Sequence, residues 1–331
     1  MISTLRFKVT TMQTKKKTVS LVLGSGSARG MAHIGIIQFL EDQGYEIKSI
    51  SGSSIGALIG GFYCAGKLDL YRDWLLDLDR TSVLKLLDFS FDRRGLLKGD
   101  KVLSTLKEII GDYEIEQLPI KFTAVATDIE REKEIWFTTG SLFEALRASI
   151  AVPSIFTPHH YRGMKLMDGG LLNPVPIAPT AGDATDLTIA VNLNSKSIDS
   201  SSLLMKPKKN NGEVSAFQKR IGDMLDRMLP EKRNGKPKTA SPPNMIEMTT
   251  RSIDIMQNTI AHAKMSIYKP DILIEISRDA CGFLDFHKAE LLIDIGYAMG
   301  QAALKNWAHH QRLGDEVMCQ HFPVSDDQTP S

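Results

Sequence analysis

The sequence predicts an α/β fold, a three-layer sandwich in which a mostly parallel central sheet is flanked by helices. Two observations support this prediction. Short β-branched runs bounded by glycine or serine alternate with helical segments, and strand–helix–strand alternation is typical of a parallel sheet. Apolar residues also make up 42% of the 331 residues, which is enough to bury a large core.

The N-terminal elements show this alternation most clearly. Residues 18–24, TVSLVLG, form a β-branched run that ends in glycine, as a buried strand does. A glycine-rich loop follows, and the next segment predicts a helix over 31–44 that is closed by its final glycine. The run 45–52 predicts a second strand, and the small-residue segment 53–66 predicts a helix that begins directly after it.

Further elements continue the pattern along most of the chain. The run 118–129 predicts a third strand. Residues 140–152 predict a helix that stops before Pro153, since the residue before a proline disfavours helical geometry. The other expected elements are strands within 163–168, 186–194 and 269–277, and a C-terminal helix over 287–310.

Composition divides the chain into five parts. Residues 1–16 are expected to form a disordered leader, 17–195 the core, 196–244 a basic and flexible insertion, 245–310 the C-terminal part of the core domain, and 311–331 a tail. The insertion contains apolar residues at helical spacing, namely Val214, Phe217, Ile221, Met224, Leu225 and Met228. Three roles are open for this basic, amphipathic helix: a lid, a contact with an anionic membrane surface, or packing against the core or a second subunit.

Charge and cysteine content restrict the class of protein. The net charge of +1 gives no general attraction to nucleic acid, so no nucleic-acid partner is expected. The three cysteines are isolated and lack metal-ligand spacing, which favours a reducing compartment and argues against a zinc site. The N-terminus has no signal-peptide pattern, and the longest apolar run, 55–66, is shorter than the roughly 20 residues of a membrane span. These observations predict a cytoplasmic protein whose membrane contact would be peripheral and on the inner face.

Residues 52–56, Gly-Ser-Ser-Ile-Gly, match the G-x-S-x-G pattern of a serine nucleophile elbow. A predicted strand precedes the pattern and a predicted helix follows it, as the elbow requires. The sharp turn holds the serine in a strained conformation, and the flanking Gly52 and Gly56 leave room for it. The helix N-terminus directs N–H groups toward the charge that develops on a substrate. Ser54 is therefore the candidate nucleophile, and Ser53 is expected to face away from the site.

The glycine-rich loop GSGSARG, residues 24–30, has two interpretations. A dinucleotide-binding loop needs G-x-G-x-x-G and an acidic residue at the end of the second strand. Here the third glycine, Gly30, falls one residue late, and the second strand ends in the serine elbow. A loop that supplies backbone N–H groups to an oxyanion fits better, with Arg29 fixing its shape or lending positive charge.

A nucleophilic serine also needs a general base. None of the eight histidines stands out as this base. His33 lies within the helix after the glycine-rich loop, His159 and His160 precede the candidate acid in a turn, and most of the others lie in helical or tail segments without turn chemistry. Asp168 follows a short strand and precedes Gly169 and Gly170, so a sharp turn can present its carboxylate at the strand end. A carboxylate acting alone is a weak base unless it is desolvated, so we expect a shielded, apolar site.

In this order and spacing, GSGSARG, GSSIG and DGG resemble the patatin-like phospholipase family, in particular the bacterial branch related to the neuropathy target esterase catalytic domain. The segments AVATDI, ALRASIAVPSIF and LLNPVPI are also similar, so the resemblance covers nearly the whole chain apart from the leader, the insertion and the tail. It implies a patatin-like α/β fold and a serine ester hydrolase with a Ser54–Asp168 dyad, without a catalytic histidine, metal or cofactor. The implied substrates are phospholipids, lysophospholipids or other acyl esters.

The resemblance also implies an oxyanion hole built from the backbone amides around Gly26 and Ser27, with Ser25, Arg29 and Gly30 completing the loop. The sequence departs from the family here, because Ser25 and Ser27 stand where glycines are usual. A serine that requires a positive φ costs about 1 kcal/mol or more. A non-catalytic regulatory or adaptor protein on the same scaffold is therefore the alternative function. The sequence leaves the oligomeric state, the acyl chain and the headgroup open.

Overall fold

The computed structural model describes residues 16–86, 100–153, 155–196 and 245–321. Its strands are β1 Thr18–Leu23, β2 Glu46–Ser53, β3 Lys121–Asp128, β4 Lys133–Phe137, β5 His159–Tyr161, β6 Met164–Asp168, β7 Leu187–Ser195 and β8 Ile272–Ser277. Its α-helices are α1 Ala32–Asp42, α2 Ile55–Cys64, α3 Leu68–Leu76, α4 Arg80–Leu86, α5 Asp100–Ile110, α6 Leu142–Ser149, α7 Met245–Ile267 and α8 Ala289–His321.

These strands form one sheet in the order β5-β6-β3-β2-β1-β7-β8, with β4 paired to β3 outside this path. The strands from β3 to β8 in this order pair in parallel, whereas β4, β5 and β6 pair antiparallel. The predicted α/β fold with a mostly parallel sheet is therefore confirmed. Parallel strands are typically buried on both faces and need helices on each side.

The side chains of β1 divide between two apolar clusters, one on each face of the sheet. Leu21 and Leu23 belong to the large core, which also contains residues of α1, α2 and α8. Val22, which lies between them, belongs to a smaller cluster with Ala261 and Met265 of α7. Because successive side chains of a strand point to opposite faces, helices cover both sides of the sheet, as expected for three layers.

One edge of β3 brings the ends of two distant strands together. β2 pairs with residues 121–125 of β3 and ends at Ser53. β6 pairs with residues 126–128 and ends at Asp168. Since β4 pairs with residues 124–128, overlapping both segments, β2 and β6 must share the opposite edge of β3. The C-terminal ends of β2 and β6 therefore meet, which brings the residue after β2 close to Asp168.

Every predicted strand, and every predicted helix outside the insertion, is present. The predicted boundary of the tail at residue 311 lies within α8, which continues to His321. A single glycine without a proline does not terminate a helix, and Gly314 is the only such breaker in 311–321. The sequence also did not predict β4, β5, α3, α4, α5 or α7. Helices α3, α4, α5 and α7 are the omissions that affect the site, because their side chains line the cavities beside the candidate nucleophile.

Three predicted features lie outside the described residues: nearly all of the leader, the insertion with its helix at 214–228, and the end of the tail. In the described ranges, no helix is both long enough and apolar enough to cross a membrane.

Candidate active site

Ser54 occupies the turn between β2 and α2 with φ 57° and ψ −125°. This is a strained backbone conformation that L-residues rarely adopt. The turn is tight enough to need glycine on both sides. A Cβ atom on Gly52 would lie 2.5 Å from the backbone nitrogen of Ala57, and one on Gly56 would lie 2.1 Å from the carbonyl oxygen of Leu23. The pattern Gly-x-Ser-x-Gly is therefore a steric requirement of this turn.

The backbone N–H of Ser54 is held by a side chain from another element. It donates to Oγ of Ser149, at the end of α6, over 2.9 Å. The Ser149 hydroxyl in turn donates to the carbonyl oxygen of Val125 in β3 over 2.6 Å. Both serines are buried, so these hydrogen bonds are shielded from water. Because the Ser54 side chain does not cap α2, its hydroxyl is not used in holding the turn.

Asp168 is fixed by hydrogen bonds from its own backbone and its side chain. Its N–H donates to the carbonyl oxygen of Ala151 over 3.0 Å, and its carbonyl oxygen accepts from the Thr127 hydroxyl over 3.0 Å. Its carboxylate atom Oδ1 accepts from the N–H of Gly170 over 2.7 Å. The two glycines after Asp168 thus form the sharp turn that the sequence predicts, and the carboxylate has one fixed orientation.

Burial raises the pKa of the Asp168 carboxyl from its ordinary value of 3.8 to about 6, although the Ser54 hydroxyl and the Gly170 N–H both act to lower it. The residue is 2% exposed. Its second oxygen, Oδ2, makes no hydrogen bond of ordinary geometry to the described residues. A desolvated carboxylate with a free lone pair near a serine hydroxyl can accept a proton from it at neutral pH.

Two N–H groups of the glycine-rich loop make no hydrogen bond within the part of the chain that the structure describes. Gly24, Ser25 and Ala28 each donate a backbone hydrogen bond, to Val191, Pro174 and Phe283 respectively. The N–H groups of Gly26 and Ser27 make none to the residues that the structure describes. Both residues line a cavity together with Ser54 and Asp168. The loop therefore has two donors available beside the serine hydroxyl.

The two serines that replace glycines in this loop differ in conformation. Ser27 has φ 51°, in the left-handed region, whereas Ser25 does not have a positive φ. The strain at Ser27 is accompanied by a hydrogen bond of 2.6 Å from its hydroxyl to the carbonyl oxygen of Phe283. The Ser25 hydroxyl donates to Oε1 of Gln257 over 3.0 Å. Each serine thus makes a hydrogen bond that a glycine would lack.

Arg29 is buried, and each of its guanidinium N–H groups donates a hydrogen bond. Its Nε donates to the carbonyl oxygen of Gly26 over 3.1 Å. The other donors reach Asn194, the carbonyl oxygen of Arg278 and both carboxylate oxygens of Asp254, with a shortest distance of 2.8 Å to Asp254. A guanidinium group has five N–H donors, and all five have partners here. Of the two roles expected for Arg29, the geometry favours fixing the shape of the loop.

One histidine, His33, contacts the glycine-rich loop from within the core. His33 is fully buried, and its Nε2 lies 2.9 Å from the carbonyl oxygen of Gly24. Burial lowers the pKa of His33 to about 4, against the effect of this hydrogen bond, so the ring is neutral and supports the loop. No histidine among the described residues lines the cavities at Ser54. No group of three or more His, Cys, Asp or Glu side chains in the described ranges is arranged to hold a metal ion.

Two cavities meet at Ser54. The first, about 150 Å³ and here called the polar cavity, is lined by the loop, Asp168 and five residues of α7: Thr249, Thr250, Ile253, Asp254 and Gln257. The second, about 110 Å³ and here called the apolar cavity, is lined almost entirely by aliphatic and aromatic side chains of α2, α3, α5 and neighbouring loops. Ser27, Ser54 and Val152 are among the residues that line both. An ester group at Ser54 could therefore place its two halves in different environments.

The structure brings most of the predicted site residues together. Ser25, Gly26, Ser27, Arg29, Ser54 and Asp168 line the polar cavity, whereas Gly30 lies against the side chain of Ile55 without lining it. Ser53 lines neither cavity. Sequence reasoning missed Ser149, Asn194 and the α7 residues. The helical spacing of Thr250, Asp254 and Gln257 is the one signal that could have indicated a polar helix face.

Comparison with known proteins identifies the family to which this fold belongs. The family model for patatin-like phospholipases matches residues 21–181. An uncharacterized NTE family protein of Mycobacterium tuberculosis is 39% identical over 332 residues, covering 87% of this chain and 91% of that protein. Human patatin-like phospholipase domain-containing protein 6 is 28% identical, over 88% of this chain and 20% of its own length.

Two further matches are more distant. Lysophospholipase nte1 of Emericella nidulans is 27% identical over 87% of this chain, which corresponds to 18% of that protein. The crystal structure of VipD from Legionella pneumophila is 13% identical with a TM-score of 0.43, covering 88% of this chain and 67% of that chain. The chain thus spans about a fifth of the human and fungal proteins.

The fold and site are those of an α/β protein with a serine elbow beside a buried aspartate. The chain belongs to the patatin-like phospholipase family, among the NTE proteins. Hydrolysis of lipids is the general function that this membership supports.

Proposed function

We propose that the protein is a lipid acyl hydrolase in which Ser54 is the nucleophile and Asp168 is the general base. The observation that carries the proposal is the buried Asp168 carboxylate, which lines the polar cavity together with Ser54 and whose Oδ2 has no partner among the described residues. A base with a pKa of about 6 is ionised at neutral pH and is still basic enough to accept a proton.

In the proposed mechanism, Ser54 Oγ attacks the ester carbonyl carbon while its proton passes to Asp168. The carbonyl oxygen becomes an oxyanion, which the N–H groups of Gly26 and Ser27 stabilise, together with the N-terminus of α2. The intermediate then expels the alcohol, which takes the proton from Asp168 and leaves an acyl-enzyme. Asp168 next takes a proton from a water molecule as the water oxygen attacks the acyl group, and the fatty acid is released as Ser54 Oγ takes that proton back from Asp168.

The arrangement of the two cavities favours a lipid substrate that places one acyl chain in the site at a time. The apolar cavity, lined by side chains such as Leu58, Leu75 and Leu106, suits an acyl chain because it offers almost no polar contact. The polar cavity suits the alcohol portion, with its hydroxyl and amide side chains. We therefore propose lysophospholipids and other single-chain esters as substrates, in line with the lysophospholipase among the relatives.

Release of fatty acid from lysophospholipids and p-nitrophenyl esters of increasing chain length tests the proposed function. Each methylene buried in the apolar cavity contributes about 0.8 kcal/mol, so kcat/KM is expected to rise about fourfold per methylene until the cavity is full. The matched control is Ser54→Ala, which gives the background rate for each ester. Hydrolysis that does not depend on Ser54, or no hydrolysis of any ester, would favour the adaptor function instead.

Leu58→Trp is expected to shift this chain-length optimum to shorter acyl groups, because Leu58 lines the apolar cavity and not the polar one, and follows the nucleophile by one helical turn. The rate of acetyl ester hydrolysis should change by no more than about twofold, because the acetyl group is too short to reach the volume that the larger side chain fills. Ile253→Trp is the matched control, since Ile253 lines only the polar cavity. An unchanged optimum in Leu58→Trp, or an equal shift in Ile253→Trp, would contradict the assignment of the acyl site.

Ser149→Ala is expected to lower kcat about tenfold to hundredfold with little change in KM. The substitution leaves the buried N–H of Ser54 without its acceptor, which costs about 1–3 kcal/mol and releases the strained turn. Ser149→Thr retains the hydroxyl and should restore most of the rate. Steady-state kinetics on one ester measure both effects, and a Thr variant as slow as the Ala variant would assign Ser149 a packing role only.

We also propose a cytoplasmic location with peripheral contact at the membrane that supplies the lipid. Cys64 and Cys281 are buried and unpaired, as expected in a reducing compartment. Co-sedimentation with anionic liposomes tests the membrane contact. Binding that is lost on deletion of residues 206–238 would assign it to the basic insertion, and binding that persists would assign it elsewhere on the chain.

A further inference from the structure

Two consecutive carbonyl groups of the glycine-rich loop, those of Ser25 and Gly26, accept hydrogen bonds from side chains. The carbonyl oxygen of Ser25 accepts a hydrogen bond of 3.2 Å from the side-chain amide of Asn194. The carbonyl oxygen of Gly26, the next residue, accepts one of 3.1 Å from Nε of Arg29. In a planar trans peptide the N–H points opposite to the C=O. The N–H groups of Gly26 and Ser27 therefore point away from Asn194 and Arg29.

The side to which these N–H groups point is the one that the proposed reaction uses. Gly26 and Ser27 both line the polar cavity with Ser54 and Asp168, and neither N–H has a partner among the described residues. Their orientation thus depends on the two groups that bind the carbonyl oxygens from behind. Oxyanion stabilisation requires donors that are already oriented before charge develops.

Two side chains of helix α7 accept hydrogen bonds from Arg29 and Asn194. Asp254 accepts two hydrogen bonds from Arg29, over 2.8 and 3.2 Å, in a pair whose side chains are 17% and 4% exposed respectively. Gln257, one helical turn later, accepts from the Asn194 amide over 3.0 Å and from the Ser25 hydroxyl over 3.0 Å. Asn194 Oδ1 accepts from Arg29 over 2.9 Å, which joins the two halves of the network.

We propose that Asp254 and Gln257 are positioning residues of the oxyanion hole. Acting through Arg29 and Asn194, they hold the two loop peptides so that the N–H groups of Gly26 and Ser27 face Ser54. Removing Asp254 leaves a buried guanidinium without its counter-ion, and Arg29 then turns toward other acceptors and releases the carbonyl oxygen of Gly26. This inference rests on the proposed function and assigns α7 a part in catalysis without contact with the reacting atoms.

The test compares binding of two inhibitors with turnover in Asp254→Asn. A long-chain trifluoromethyl ketone adds to Ser54 and forms an oxyanion, whereas an ether analogue of the lipid has no carbonyl group and reports ground-state binding. We expect kcat/KM to fall about 10- to 100-fold, somewhat less than the loss of an oxyanion donor outright. Affinity for the ketone should fall by the same factor, and affinity for the ether should stay within about twofold.

Gln257→Met provides a second variant because Gln257 is partly exposed and the change preserves side-chain length. It is expected to show the same pattern with a smaller loss, even if Asp254→Asn folds poorly. Ser252→Ala, on the exposed face of the same helix, is the control and should match the wild-type protein. Wild-type turnover in both variants, or equal loss of ketone and ether binding, would overturn the inference.

Ser54→Ala is measured alongside to separate this inference from the proposed function. If Ser54→Ala keeps full turnover, the proposed function itself fails. If Ser54→Ala removes turnover and the α7 variants do not, only the role of α7 fails.

Discussion

Ser54→Ala is expected to lower kcat by a factor of about 10⁴ or more and to abolish covalent labelling by a fluorophosphonate. The proposed reaction and the labelling both begin with attack by the Ser54 oxygen, and the variant has no atom that can replace it. Background hydrolysis by water in the remaining oxyanion hole sets the residual rate. Gel-based labelling and fatty-acid release measure the two effects.

The Ser54→Ala protein should remain folded, so its loss of activity would result from the loss of the nucleophile and not from unfolding. The Ser54 side chain does not cap α2, and the hydrogen bond that holds the turn comes from the backbone N–H. Alanine and serine pay a similar cost for φ 57°. We therefore expect the free energy of unfolding to change by less than about 1 kcal/mol.

Ser53→Ala is the matched control for this prediction. Ser53 is the neighbouring residue, is equally small and buried, and has a hydroxyl without a hydrogen-bond partner in the described structure. It lines neither cavity, so its removal should preserve labelling and turnover. Labelling that persists in Ser54→Ala, or disappears in Ser53→Ala, would overturn the assignment of the nucleophile.

Asp168→Asn is expected to lower kcat by a factor of about 10³ to 10⁴, in the range found when a general base is removed from a serine hydrolase. Asparagine has nearly the same shape, and its Oδ1 can still accept from the N–H of Gly170. Its amide nitrogen, however, would donate to the Ser54 hydroxyl and cannot take the proton. The loss should appear in kcat with KM nearly unchanged, because the substrate cavities keep their shape.

The pH dependence of the wild-type protein follows from the same carboxyl. The base form of Asp168 predominates above its pKa of about 6, so kcat/KM is expected to increase through pH 6 and to level off above it. The profile of kcat/KM reports the free protein. A profile that is flat between pH 5 and 7 would show that Asp168 is not the titrating base.

Asp168→Asn is also expected to stabilise the protein at high pH. The folded-state pKa of about 6 exceeds the ordinary value of 3.8. The folded state therefore binds more protons between these values, and stability falls as pH rises through that window. Above pH 6 the wild-type protein bears the full cost of the buried charge, on the order of 2–3 kcal/mol. Urea unfolding should show a more stable variant at pH 8, and the difference should disappear below about pH 4.

This stability result separates a catalytic from a structural role for Asp168. A carboxylate that served only to hold the fold would make the Asn variant less stable at pH 8. An inactive variant with higher stability would instead indicate a group kept at the site for chemistry at some cost to folding. A variant that is both active and destabilised would contradict the dyad.

Helix α7 shows why part of the site could not be predicted from the sequence. Met248, Ile255 and Met256 on its outer face are exposed, so apolar residues lie all around the helix and obscure the amphipathic pattern. Its polar residues have partners far along the chain, such as Arg29 for Asp254. Neither local propensity nor spacing encodes a contact between segments so distant in sequence.

Ser149 illustrates the same limit on a smaller scale. A serine near the end of a predicted helix is an ordinary residue, and nothing in its neighbourhood indicates that it binds the N–H of Ser54. That contact exists because α6 packs on β3, whose Val125 carbonyl oxygen accepts from the same hydroxyl. Prediction of this role requires the register of the sheet.

The local geometry of the site could be predicted from the amino-acid sequence alone: the strand and helix on either side of Ser54, the glycines that the elbow requires, and the turn after Asp168. These features depend on residues that are near neighbours in the chain, and the conformational preferences of these residues can be predicted from their type. The other features of the site depend on the packing of the whole domain. The shared edge of β3 brings Asp168 to Ser54, burial raises the pKa of its carboxyl, and α7 holds the loop through Arg29, because pairing, desolvation and long-range hydrogen bonds arise only when distant segments pack together.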